Sequence, residues 1–82
     1  MIFKLYAVKD VLAGNFGKPI MFENDLIAKR WFGIEVLKTD IAKDLELWRL
    51  GDFGISTGKI ISEPEYVMTG VEALTSSGKV GE

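Results

Sequence analysis

The segment Leu45–Ser62, reading LELWRLGDFGISTGKIIS, constrains the fold more than any other part of the chain. Leu45–Phe53 and Lys59–Ser62 are rich in strand-forming residues, and Gly54, Ile55, Ser56, Thr57 and Gly58 join them. A short, glycine-bearing connection between two such runs specifies a β-hairpin. A hairpin alone is marginal in water and needs a further strand or a helix to cover one face. Its first strand also switches apolar parity, with Leu45 and Leu47 on one side and Trp48 and Leu50 on the other. Such a switch predicts a bulge, or a strand covered on both faces. Gly51 suits a bulge, because glycine adopts positive φ at little cost.

The remaining chain supplies the partners. Ile2–Lys9 places Phe3, Leu5 and Ala7 on one parity and Lys4 and Tyr6 on the other, a third strand. Asp10–Pro19 is a glycine-rich connection, and Ile20–Phe22 is a short extended piece after Pro19. Asn24 reads as a helix N-cap, with Asp25 in the positive first turn. Ile27, Trp31 and Ile34 recur at i, i+4, i+7, with Ala28 and Phe32 alongside; this helix ends between Phe32 and about Leu37. Thr39–Lys43 connects it to the hairpin. Ser62-Glu63-Pro64-Glu65 has the form of a capping box, and Val67, Val71 and Leu74 then follow a helical period. Gly70 costs that second helix about 1 kcal/mol against alanine.

These elements predict an α+β domain: a small, mainly antiparallel sheet of three to four strands with one or two helices packed on one face. The domain covers residues 1–74, and residues 75–82 lack pattern and form a flexible C-terminal tail. An 82-residue chain buries only about 60–65% of its unfolded surface, so a lone core is marginal. A homodimer through a sheet edge or a helix face is therefore expected.

The chain contains neither cysteine nor histidine, which removes the usual zinc, copper and haem ligand sets, thiol nucleophiles and imidazole bases. Gly58-Lys59 and Gly17-Lys18 look like phosphate-loop ends, but Phe53 and Leu12 stand where a glycine is required, and Ile60 and Pro19 follow the lysines. The paired carboxylates Asp44 and Glu46 read as one solvated strand face. No enzyme activity and no cofactor are expected. There is no long apolar run and no leader-like segment, so the chain is expected to be soluble, without a membrane partner.

Net charge is −2, with 48% hydrophobic residues, so this is not a strongly basic nucleic-acid binder. Three clusters nevertheless join cations to aromatic rings: Phe16-Gly17-Lys18, Lys29-Arg30-Trp31 and Trp48-Arg49. Binding of single-stranded nucleic acid uses such pairs, cations for phosphate and ring faces for bases. Trp31 belongs to the helical apolar stripe, and Trp48 is expected between sheet and helix. Phe16, in a glycine loop, is the ring most expected at the surface. Lys29 and Arg30 are what a helix turns toward water.

In order and spacing the chain resembles the small nonstructural proteins of gokushovirus-type microviruses, over about residues 3–74. The resemblance lies in the opening strand, Ala13-Gly14, Phe16-Gly17-Lys18-Pro19, Asn24-Asp25, Ala28, Arg30 and Phe32. It continues through Leu47-Trp48-Arg49-Leu50-Gly51-Asp52-Phe53 and Thr57-Gly58-Lys59-Ile60. Phe53-Gly54 replaces the family's usual Phe-Asp, and Ala42-Lys43-Asp44 replaces its frequent Pro-Glu-Asp. The first departure leaves any role of an acidic turn residue unsupported here. The resemblance implies a bacteriophage protein of the host cytoplasm that binds single-stranded DNA during genome replication or packaging. The alternative is an adaptor regulating a phage or host replication protein. Phe16, Lys18, Lys29, Arg30 and Arg49 are the expected DNA-contacting residues, with Phe16 stacking on a base.

Overall fold

The computed structural model describes residues 2–80, with side chains described as far as residue 75. The chain runs β1 (Ile2–Asp10), β2 (Asn15–Phe16), β3 (Ile20–Phe22), α1 (Asp25–Val36), β4 (Leu45–Gly54), β5 (Ile60–Thr69) and α2 (Gly70–Val80), with a 3-10 turn at Ala42–Asp44. All strand pairs are antiparallel. The sheet has the order β2-β1-β4-β5, and β3 pairs with β1 alongside β2. The α+β expectation holds; the two-residue β2 is the strand that sequence pattern did not reveal.

The central hairpin forms as expected. Gly58 adopts φ +73° in its connection, and its N–H donates to the Gly54 carbonyl at 2.7 Å. Of the two anticipated causes of the parity switch, the bulge is the one found. Leu5 pairs with Gly51 but Tyr6 with Arg49, so Leu50 is an extra residue on β4. Leu47 meanwhile lies in the core, while Trp48 packs on the other face. The reason for Gly51 differs from the one expected. Its φ is not positive; instead a Cβ there would come within 2.0 Å of the Ile61 carbonyl oxygen on β5.

The second helix begins later than the sequence suggested. Ser62–Glu65 is strand, and β5 continues to Thr69. Pro64 is tolerated because β5 is an edge strand, where one face of the backbone has no ladder bond to make. The working capping box is Thr69–Glu72: the Glu72 amide donates to Thr69 Oγ1 at 3.0 Å, and the Thr69 amide donates to Glu72 Oε1 at 2.9 Å. Gly70 sits where a Cβ would lie 1.9 Å from the Ala42 carbonyl oxygen, so it lets α2 start against the 3-10 turn. Residues 75–80, expected in a tail, continue α2. Residues 81–82 of that tail lie outside the described residues.

Helix α1 starts where expected. The Ile27 amide donates to the Asn24 side-chain oxygen at 3.0 Å. Its buried stripe, however, is Ala28, Phe32 and Val36, rotated from the Ile27–Trp31–Ile34 line. These three join Tyr6 and Leu47 from the sheet, Ala42, and Ala73 from α2 in a single small core. Both helices thus cover one face of the sheet. Strand alternation turns Ala7, Lys9, Glu46 and Trp48 to the opposite face.

Candidate nucleic-acid interface

The turn between β1 and β2 builds one corner of that opposite face. Gly14 takes φ +79°, and its amide donates to the Asp10 carbonyl at 2.8 Å, while the Ala13 amide donates to Asp10 Oδ1. The tight return sets Phe16 in register with Lys9. Next across the sheet, Ala7 pairs with Trp48, and Trp48 pairs with Tyr66. The result is an aromatic row across four strands. Phe16 and Trp48 meet edge to face at 5.8 Å between centroids, and Trp48 and Tyr66 at 6.2 Å.

The Lys9 ammonium lies 5.5 Å from the Phe16 centroid and 5.2 Å from that of Trp48, close enough for cation–π attraction to both. The Trp48 indole N–H donates to Glu46 Oε1 at 2.9 Å. The Tyr66 hydroxyl donates to Glu72 Oε1 at 2.6 Å. That bond to Glu72 pushes the Tyr66 phenol up, and the same bond, with those from Thr69, holds the Glu72 carboxyl down. Phe16 and Tyr66 remain 43% and 47% exposed, so each offers ring surface to a planar partner while the row fixes its orientation.

Of the five residues expected to contact DNA, the structure brings only Phe16 into this row. Lys18 is exposed in the same connection, two residues further on. Lys29 and Arg30 are exposed on α1, which places them on the helical layer, across the sheet from Phe16.

Arg49, expected to contact DNA, is engaged within the fold. It projects to the helical side, where Nη1 donates to both carboxylate oxygens of Asp25 at 3.0 and 3.1 Å, and Nη2 to Glu65 at 2.7 Å. The Tyr6 hydroxyl also donates to Asp25. A cleft of about 170 Å³ opens beside Arg49, and its charged lining adds Lys4 to the carboxylates of Asp52, Glu63 and Glu65. Carboxylates outnumber cations there, which disfavours a phosphate.

Trp48 also departs from expectation: it lies on the face away from the helices and is half-buried by Phe16, Tyr66 and Lys9. Lys9 and Tyr66 were not anticipated. Lys9 gave a signal, as the cation ending a strand whose alternate positions are apolar. Tyr66 was hidden within the apparent helix after Ser62.

Among the described residues no helix is long and apolar enough to cross a membrane. The family described as Phage ORF5 protein matches the chain over residues 3–73. No curated protein and no solved structure matches it.

Proposed function

We propose, since the chain belongs to the Phage ORF5 protein family, that it is a microvirus accessory protein that binds single-stranded DNA. It acts in the host cytoplasm during genome replication or packaging, with no catalysis of its own. The observation that carries this reading is the row Phe16–Trp48–Tyr66 with Lys9 over two of its rings, on the sheet face away from the helices. A flat β surface with partly exposed rings suits bases, which stack without regard to sequence at about 1–3 kcal/mol each. Phe16 and Tyr66 stack, Trp48 holds them in place, and Lys9 and Lys18 meet phosphates. Lys29 and Arg30, on the other layer, have no part in this surface, and Arg49 holds the fold together instead.

Two phosphate contacts give a shallow electrostatic term, in keeping with a net charge of −2. With single strands the expected slope of log K against log salt is about −1.4. Anisotropy of a labelled oligo-dT of about 20–30 nucleotides is therefore expected to show micromolar binding that weakens about sevenfold between 50 and 200 mM salt. Absence of binding at both salts overturns the reading. It would leave the adaptor, which the exposed apolar side chains of this small chain favour.

A further inference from the structure

A second line of side chains crosses the sheet beside the aromatic row. In register it runs from Phe16 on β2 through Lys9 on β1 and Glu46 on β4 to Thr69 on β5. Glu46 therefore stands between the strands that carry the two exposed rings, next to Trp48 on the same face of β4. It is half-buried, and its Oε1 accepts the Trp48 indole N–H at 2.9 Å. That bond fixes the carboxylate against the row and leaves Oε2 without a donor among the described residues.

Glu46 does not neutralise Lys9. The two residues pair across β1 and β4, yet the Lys9 ammonium lies over the Phe16 and Trp48 rings. Among the described residues no cation forms an ion pair with Glu46. A carboxylate on a surface for nucleic acid costs affinity where it meets phosphate, because like charges repel. It contributes where it meets the edge of a base that donates. Stacking tolerates every base, and phosphate contacts carry no sequence information, so an acceptor set among the rings is the group able to tell bases apart. Glu72 is differently placed, because its Oε1 already takes the Tyr66 hydroxyl and both the amide and hydroxyl of Thr69.

We infer that Glu46 gives the aromatic row a preference for bases with an exocyclic amino group, by accepting a hydrogen bond from that group when the base stacks on Phe16 or Tyr66. The inference rests on the single-stranded DNA reading above and names the bases that suit it. Cytosine and thymine expose it most directly, since both are single-ring bases. Cytosine carries an amino donor where thymine carries a carbonyl acceptor. Against a carboxylate the first makes a charge-assisted hydrogen bond, and the second sets two acceptors face to face. The thymine ring N–H does not reverse this order, because a carbonyl flanks it on each side.

Anisotropy of the full chain with labelled oligo-dC, oligo-dT and oligo-dU of one length, at mildly alkaline pH where cytosine is neutral, tests the inference. Oligo-dC is expected to bind about five- to tenfold tighter than oligo-dT. Oligo-dU, which lacks the thymine methyl group but keeps its carbonyls, is expected to bind no tighter than oligo-dT. Glu46→Gln retains an acceptor for Trp48 and gains an amide donor, so its dC-to-dT affinity ratio is expected to fall to about one. Loss of a negative charge strengthens both affinities alike, which makes the ratio the readout. Glu35→Gln, on the helical layer, is expected to leave the ratio unchanged. Should Glu46→Gln fail to fold, Glu46→Asp, which withdraws the carboxylate by one methylene, is expected to lower the ratio in its place. Equal binding of oligo-dC and oligo-dT overturns the inference, as does oligo-dU binding as tightly as oligo-dC. A preference that survives the Glu46 substitution also overturns it. In each of these cases the DNA reading stands, whereas failure to bind any of the three oligonucleotides overturns both.

Discussion

Arg49 and Asp25 form a two-point ion pair, with one guanidinium nitrogen donating to both carboxylate oxygens at 3.0 and 3.1 Å. The pair ties the middle of β4 to the first turn of α1, and Glu65 and Tyr6 extend it to β5 and β1. Four elements therefore meet at one guanidinium. The Arg49 side chain is only 23% exposed, so the pair is screened less than a surface bridge.

Removing the guanidinium leaves Asp25 and Glu65 close together without their cation. Arg49→Ala is expected to cost about 2 kcal/mol, read as a lower midpoint in urea unfolding. Arg49→Lys keeps the charge but loses the fork, and is expected to recover less than half of that loss. An unchanged midpoint in Arg49→Ala would mean that the network adds nothing beyond packing.

The same network sets a pH window. Partial burial raises the Asp25 carboxyl, but the bonds from Tyr6 and Arg49 outweigh it and hold the group below its ordinary value. Its contribution is complete above the unfolded value of about 4 and is lost as pH falls through the lower folded value. Tyr6 behaves in the opposite sense: burial first, then its bond to Asp25, raises the phenol far above 10. Its contribution is complete below about pH 10 and is lost as pH rises beyond that. Thermal unfolding is expected to show a plateau between these limits. Asp25→Asn should flatten the acid limb and Tyr6→Phe the alkaline limb, each at lower overall stability. Steep limbs that persist in both variants would place the titration elsewhere.

Two glycines permit close backbone approaches. Helix propensity alone predicts that Gly70→Ala stabilises α2. The Ala42 carbonyl oxygen, 1.9 Å from the added Cβ, reverses that sign, because backbone must move to admit the methyl group. Gly51→Ala meets the Ile61 carbonyl in the same way. Each substitution is expected to destabilise by about 1–3 kcal/mol. Gly17→Ala, whose Cβ would meet only the Val8 carbonyl at an ordinary 3.6 Å, is expected to cost less than either. A higher melting temperature for Gly70→Ala would contradict the packing of α2 on the 3-10 turn.

Much of this fold can be read from local pattern, and the failures share one cause. Asn24, the hairpin and a bulge in β4 were all visible because turn chemistry and alternation are local. The second helix was misplaced because Ser62-Glu63-Pro64-Glu65 and Thr69-Gly70-Val71-Glu72 both fit a capping box. The decision between them is tertiary: β4 offers a ladder for β5 as far as Thr69, so the chain stays extended past the first candidate. That error also hid Tyr66, and with it the aromatic row. The ion pairs of Arg49 were hidden for the same kind of reason. Its partners lie 24 and 16 residues away, and no spacing rule connects them.

The aromatic row makes separable predictions for stacking and for charge. Phe16→Ala and Tyr66→Ala each remove one stacking ring, and each is expected to weaken oligo-dT binding by about 1–3 kcal/mol at fixed salt, with the salt slope unchanged. Lys9→Ala and Lys18→Ala each remove one phosphate contact, and each is expected to reduce the slope by about 0.7. Lys9 has a second effect, because its ammonium also lies over the faces of Phe16 and Trp48. Lys9→Ala therefore frees ring surface while losing a cation, so its affinity loss at 200 mM salt should be smaller than that of Lys18→Ala. Arg49→Lys, Lys29→Ala and Arg30→Ala serve as controls, because the first acts within the fold and the other two lie on the helical layer. Were Lys29→Ala or Arg30→Ala to lower the slope while Lys9→Ala and Lys18→Ala did not, the DNA would lie along α1, and the sheet face would not be the binding surface.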